Sequence, residues 1–219
     1  MKILGIDEAG KGPVIGPLVI CGYLVDSRNL KKLERLGVKD SKLLSARKRE
    51  SMINDLQKIA DDFILIKMSA KEIDRMRTIT NLNKLEIARI QEIINMLDAD
   101  KVVIDAFEAN VKKFNEQISR KVKNKKTKII TENFADKNYL EVGAASILAK
   151  VNRDNEIYEL QKAYGDFGSG YPSDEMTISF LKDWIKKNKE FPDCVRKSWM
   201  TIQWIMEEVE QSDLKRFSQ

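Results

Sequence analysis

Ile3-Leu4-Gly5-Ile6-Asp7-Glu8-Ala9-Gly10-Lys11-Gly12-Pro13-Val14-Ile15-Gly16-Pro17 opens the chain, and its reading decides the fold class. The apolar run Ile3 to Ile6 is continuous rather than alternating, the pattern of a strand buried on both faces. It ends in two acids. A second such run, Val102-Val103-Ile104, ends in Asp105. Gly16 to Val25, Phe63 to Met68 and Lys128 to Thr131 are also strand-like. Helical patterns lie between them. Ser45 can cap a helix that carries Met52, Ile53, Leu56 and Ile59 on one face. Ser69-Ala70-Lys71-Glu72 has the spacing of a capping box. An amphipathic helix runs from Leu82 to Leu97. Another runs from about Tyr139 to Ala163, with Gly165 as its stop. Its face Gly143-Ala144-Ala145-Ser146 is small enough to let another backbone approach. Strands interleaved with helices predict an α/β fold. Beyond Gly168-Ser169-Gly170-Tyr171-Pro172 two helices remain, one after Ser173-Asp174 and one after Pro192-Asp193. They predict a core over about 1–172 and a helical appendage over about 173–219, within one domain.

The chain has 219 residues and contains no histidine. That excludes His-ligated zinc, Ser-His and Cys-His nucleophile pairs, and any imidazole acid or base. Chemistry here must rest on carboxylates, lysines, hydroxyls or a bound cation. The two cysteines share no metal-ligand spacing, and Cys21 sits in the apolar run Leu18-Val19-Ile20-Cys21 as a buried free thiol. Lys+Arg 39 against Asp+Glu 34 gives a net charge of +5, which suits a polyanionic partner. No stretch supplies the roughly 20 apolar residues of a membrane helix. The start reads as a strand rather than a secretory signal, so a cytoplasmic protein is expected.

Asp7 and Asp105 each follow a buried strand. Ligands of α/β sheets gather at the carboxyl ends of parallel strands. If these strands are parallel neighbours, they lie about 4.8 Å apart and their carboxylates can share a cation. Oxygen-only ligands favour Mg²⁺ or Mn²⁺, and Glu8 would add a further oxygen. The other reading makes both acids ordinary turn residues. Gly5 to Gly12 also nearly matches the phosphate loop of nucleotide triphosphatases. Position 12 lacks the required hydroxyl, however, and two acids lie inside the loop. Gly10 and Gly12 fit better as sites where backbone amides approach a nucleic-acid backbone, with Lys11 reaching a phosphate. A tight turn with an exposed lysine would read the same.

Five blocks in order resemble type 2 ribonuclease H, in its archaeal form. They are Asp7 to Pro17; Asp40-Ser41-Lys42-Leu43; Asp105-Ala106; Ala144 to Val151 with Arg153-Asp154; and Gly168 to Asp174. The resemblance implies a ribonuclease H-like fold, a mixed five-stranded sheet flanked by helices. It implies a metal site of four carboxylates: Asp7, Glu8, Asp105 and Asp136, with Glu132 the competitor for the last place and helix capping the other role for Asp136. It implies two Mg²⁺ or Mn²⁺ ions in the substrate-bound state, hydrolysis of RNA in RNA/DNA hybrids, and cleavage 5′ of ribonucleotides embedded in ribonucleotide-containing duplex DNA. The products would be 5′-phosphate and 3′-hydroxyl ends. Gly10-Lys11-Gly12 stands where the family usually has Gly-Arg-Gly. That loop senses the ribose 2′-hydroxyl, and Lys11 keeps the charge without the planar fork. Tyr171 would pack on the sugar at the RNA-to-DNA junction, although a core tyrosine after a glycine turn would look alike. Ser41 and Lys42 would contact phosphates, and Lys182, Lys186, Arg196 and Lys197 would hold the duplex. A monomer is expected, and no clear sliding-clamp contact stands out in the tail from Gln211 to Gln219.

Overall fold

The strands β1 (Lys2–Ala9), β2 (Leu18–Asp26), β3 (Asp62–Met68), β4 (Lys101–Asp105) and β5 (Lys128–Glu132) form one sheet. This is seen in a computed structural model that describes residues 1–39 and 44–217. The strand order is β3-β2-β1-β4-β5. β1 runs antiparallel to β2 and parallel to β4, and β4 runs parallel to β5. The sheet is therefore mixed and five-stranded, as expected. Its central strands are buried because Ile3, Leu4, Ile6, Val102, Val103 and Ile104 have apolar neighbours on both faces.

The helices are α1 (Leu30–Leu36), α2 (Ala46–Ile59), α3 (Ala70–Arg77), α4 (Leu82–Met96), α5 (Val111–Arg120), α6 (Ala135–Asn138), α7 (Leu140–Tyr164), α8 (Glu175–Asn188) and α9 (Met200–Phe217). Ser45 caps α2 by accepting from the Lys48 amide, and Ser69 caps α3 by accepting from the Glu72 amide. Gly165, at φ 91°, follows the last residue of α7. The last helix starts at Met200 rather than just after Asp193, because the intervening chain is held otherwise. Val195 bridges to Ile15, and the Arg196 amide donates to Val14 O.

The chain divides into two compact units, each drawn from several stretches. The first comprises Met1–Ala9, Val19–Lys67 and Asn83–Asn152; the second comprises Gly10–Leu18, Met68–Leu82 and Arg153–Gln219. In the first unit, Val19, Cys21, Tyr23 and Val25 of β2 pack with Met52 and Leu56 of α2 and with Ala144 to Leu148 of α7. The small face of α7 does admit a backbone. A Cβ at Gly143 would lie 2.7 Å from Val38 O, and one at Gly5 would lie 2.3 Å from the Glu141 carbonyl carbon. Gly5 thus lets the start of α7 press on β1, just before Asp7. In the second unit, Val14 and Ile15 join Phe167, Leu181, Ile185, Val195, Ile202 and Ile205 in a separate core. After Gly12 no helix follows; the chain passes into β2, so the phosphate-loop likeness has no counterpart in the fold.

Candidate metal centre and ribose-sensing loop

The register of β1 and β4 ends on the pair Ile6 and Ile104. The next residues are Asp7 and Asp105, so parallel pairing delivers two carboxylates side by side. Asp136 comes from the short helix α6, entered through Phe134 in a left-handed conformation (φ 61°). Phe134 stands at the N-cap position of α6 and Asp136 lies within its first turn. One oxygen from each of Asp7, Asp105 and Asp136 lies within 4.8 Å of the others. Asp7 and Asp136 are buried. The Ala135 amide donates to Asp105 Oδ1 at 3.1 Å and ties α6 to the end of β4.

Glu8 stands apart from this trio. Its carboxylate is not among the three that gather within 4.8 Å, and its amide donates to Asp7 Oδ1 at 2.8 Å. Glu132 pairs with Asp105 in the strand register. Its carboxylate nevertheless accepts from Asn138 Nδ2 and, at 3.0 Å, from Tyr139 OH. Of the two acids weighed for the last ligand place, Asp136 is the one in the cluster.

Two residues with no role in the sequence reading face Asp7 from α7. Ser146 hydrogen-bonds its carboxylate and Lys150 lends it positive charge, while Lys150 Nζ also donates to Ser146 Oγ. The Asp7 carboxyl is raised from 3.8 to about 6, chiefly by burial and also by the Asp105 charge, against the lowering effects of Lys150, Ser146 and the Glu8 amide. A carboxylate gathered with like charges and stripped of water is costly unless a cation joins it. The donors are all oxygen, and their spacing suits a hard divalent ion. The residues fit Mg²⁺ or Mn²⁺.

In the second unit Gly10, at φ 87°, begins a loop that a side chain would not allow, since a Cβ there would lie 2.5 Å from Pro17 O. Gly12 is exposed, and a Cβ there would meet the Tyr171 ring at 3.6 Å. Loop and tyrosine are therefore neighbours, further joined by the Val14 amide, which donates to Gly170 O at 2.8 Å. Tyr171 is 37% exposed, so it is not a core tyrosine. The Arg153 guanidinium lies 5.3 Å from its ring centre and donates to Ser169 O at 2.8 Å. Ser41 and Lys42 lie outside the described residues. Among the residues expected to hold a duplex, Lys186 and Lys197 are exposed, and Lys182 forms an ion pair with Glu208 at 2.8 Å. Arg196 is wholly buried and does not present its charge at the surface. Charge alone suggested the surface role; buried carbonyl partners, invisible in the local sequence, overturn it.

A close carboxylate trio, two members at the ends of parallel strands in a ribonuclease H-like sheet and the third on α6, is the site of a metal-dependent phosphodiester hydrolase. The chain belongs to the ribonuclease HII family: that family's model matches residues 4–202. It is 46% identical to the ribonuclease HII of Pyrococcus furiosus, over 95% of this chain and 93% of the relative. The ribonuclease H2 structure from Pyrococcus horikoshii OT3 superposes with a TM-score of 0.90 at 40% identity, covering 96% of this chain and 99% of that one. Ribonuclease HII from Archaeoglobus fulgidus, solved as a complex with PCNA, gives 0.83 at 37% identity, covering 91% of this chain and 95% of that one. The protein is thus a metal-dependent endoribonuclease of the type 2 class. Among the described residues no helix is long and apolar enough to cross a membrane.

Proposed function

We propose that the protein hydrolyses the RNA strand of RNA/DNA hybrids and cuts 5′ of single ribonucleotides in duplex DNA, leaving 5′-phosphate and 3′-hydroxyl ends. The observation that carries this reading is the trio Asp7, Asp105 and Asp136, with oxygens within 4.8 Å of one another. Two divalent ions, when bound, would supply an activated water for in-line attack and stabilise the leaving 3′ oxygen. Asp7, Asp105 and Asp136 would hold them, with Glu8 completing the set. Lys150 and Ser146 fix the Asp7 carboxylate and keep it ionised against its burial. The loop Gly10-Lys11-Gly12 and the half-exposed Tyr171 ring would read the ribose, because only RNA offers a 2′-hydroxyl at the cut. Ser41 and Lys42 would contact phosphates. The helical part beyond about residue 173 would hold the duplex, with Lys186 and Lys197 exposed for phosphate contacts that weaken with salt. The enzyme would act as a monomer. The PCNA complex of the Archaeoglobus fulgidus relative makes a sliding-clamp contact part of the same reading.

The test uses a DNA duplex with one ribonucleotide, in Mg²⁺, Mn²⁺ or EDTA. The wild type should nick 5′ of the ribonucleotide only with metal. Asp105→Asn and Asp136→Asn should abolish the nick, and Glu132→Gln should retain it. Full activity in Asp136→Asn, or cleavage in EDTA, would refute the assignment.

A further inference from the structure

Arg196 has the largest side chain among the fully buried residues described. Its guanidinium is spent on backbone carbonyls of one loop. Nη2 donates to Gly10 O at 2.6 Å, Nη1 to Lys11 O at 2.8 Å and Nε to Gly16 O at 3.0 Å. Trp199 Nε1 donates to the Gly12 carbonyl at 3.3 Å. The Trp199 ring has guanidinium groups of both Arg77 and Arg196 close by, 4.7 and 4.9 Å from its centre. Asp74 anchors the same stretch, accepting from the Lys197 and Ser198 amides at 2.7 and 3.0 Å. Arg77 adds a bond to Ser198 O at 3.1 Å.

A trans peptide is planar, and its N–H points opposite to its C=O. Where Arg196 takes the carbonyls of Gly10 and Lys11, the amides of Lys11 and Gly12 are turned away from it. Successive amides aimed the same way make a concavity for an anionic or hydroxyl oxygen. Burying a charge requires partners with good geometry, and here the demand of the guanidinium sets the loop rather than the loop setting itself. Lysine could not do this, having one compact donor head instead of a planar fork.

We infer that Arg196, with Trp199, is a positioning residue for ribose recognition: it holds the Gly10–Gly12 loop so that its amides face the substrate. The inference rests on the proposed reading of that loop as the ribose sensor. Arg196 touches no substrate itself.

Arg196→Lys and Trp199→Phe test it, the second removing one indole N–H while keeping a ring between the arginines. Fluorescence anisotropy in Ca²⁺ would compare binding of a duplex carrying one ribonucleotide with the same all-deoxy duplex. Calorimetry would follow Mn²⁺ binding by the carboxylates, and circular dichroism the fold. The expected result for Arg196→Lys is a preference for the ribonucleotide duplex reduced roughly tenfold or more, with a smaller loss in Trp199→Phe and unchanged Mn²⁺ affinity in both. If Arg196→Lys fails to fold, Trp199→Phe decides. A wild-type preference that survives intact in the folded variants overturns the role of Arg196. A wild type with no such preference removes the loop reading itself, and the inference with it.

Discussion

Asp7→Asn should inactivate the enzyme and, in the absence of metal, stabilise it. The Asp7 carboxyl is raised from 3.8 to about 6, first by burial and then by the Asp105 charge. A raised acid is more easily protonated in the fold than in the unfolded chain, so the sign is opposite to that of a salt-bridged aspartate. Below pH 3.8 both states are protonated and Asp7 contributes nothing; as pH rises toward 6 the unfolded chain ionises first and stability falls; above 6 the full cost stands. At 1.36 kcal/mol per unit, a rise from 3.8 to about 6 corresponds to about 3 kcal/mol near pH 7.5. Asparagine fills nearly the same volume without the charge and should recover most of it. For a chain of this size that corresponds to about 5–10 °C in Tm. The assay is a thermal melt of both proteins in EDTA at about pH 7.5 and about pH 5. The variant should melt higher at the first pH, by a margin that shrinks by about half at the second. Added Mn²⁺ should raise the wild type and leave the variant nearly unmoved. A variant no more stable than wild type in EDTA near neutrality would refute the claim that this carboxylate is held at a cost awaiting a cation.

Mn²⁺ affinity, followed by calorimetry, should weaken as pH falls through about 6, where Asp7 takes up its proton; a flat profile down to pH 5 would contradict it. Gly10→Ala places a Cβ 2.5 Å from Pro17 O at φ 87° and should cost about 1–3 kcal/mol in a urea melt. Gly12→Ala meets only the Tyr171 ring at 3.6 Å, so it should leave the melt unchanged and raise KM for the hybrid. Cys21 and Cys194 are both buried, with burial pushing Cys194 up to about 11 and Cys21 higher still. A thiol reagent at about pH 8 should find neither until denaturant is added, and rapid labelling of native protein would contradict the packing described.

The strands were legible because a continuous apolar run ending in an acid leaves few alternatives; the parallel pairing of β1 with β4 stood only as a condition, and the structure meets it. Asp7 and Asp105 came with them. Asp136 was harder. Glu132 shares a register position with Asp105, but register does not say where a side chain turns, and this one turns to Asn138 and Tyr139. Ser146 and Lys150 gave a signal, their spacing of one helical turn. It was lost among Ala144, Ala145, Ile147, Leu148 and Ala149, which leave the helix apolar nearly all round. Arg196 misled, because a charge reads as surface until its partners are known, and those are carbonyls of Gly10, Lys11 and Gly16, 180 or more positions away in sequence. α1 and α5 went unread, being short and crowded with charge.

The bond from Arg196 to Gly10 spans 186 positions of sequence. On the ribosome, the loop is made long before the residue that clamps it. A chain stopped before Arg196 can already hold β1, β4, α6 and the three aspartates, yet it lacks the guanidinium that takes the loop's carbonyls. Such a long closure also favours slow completion of the second unit. On the proposed reading of the loop, synthesis itself then delays ribose recognition until Arg196 has been made, and a chain stopped before it is a poor reader of nucleic acid beside the translating message.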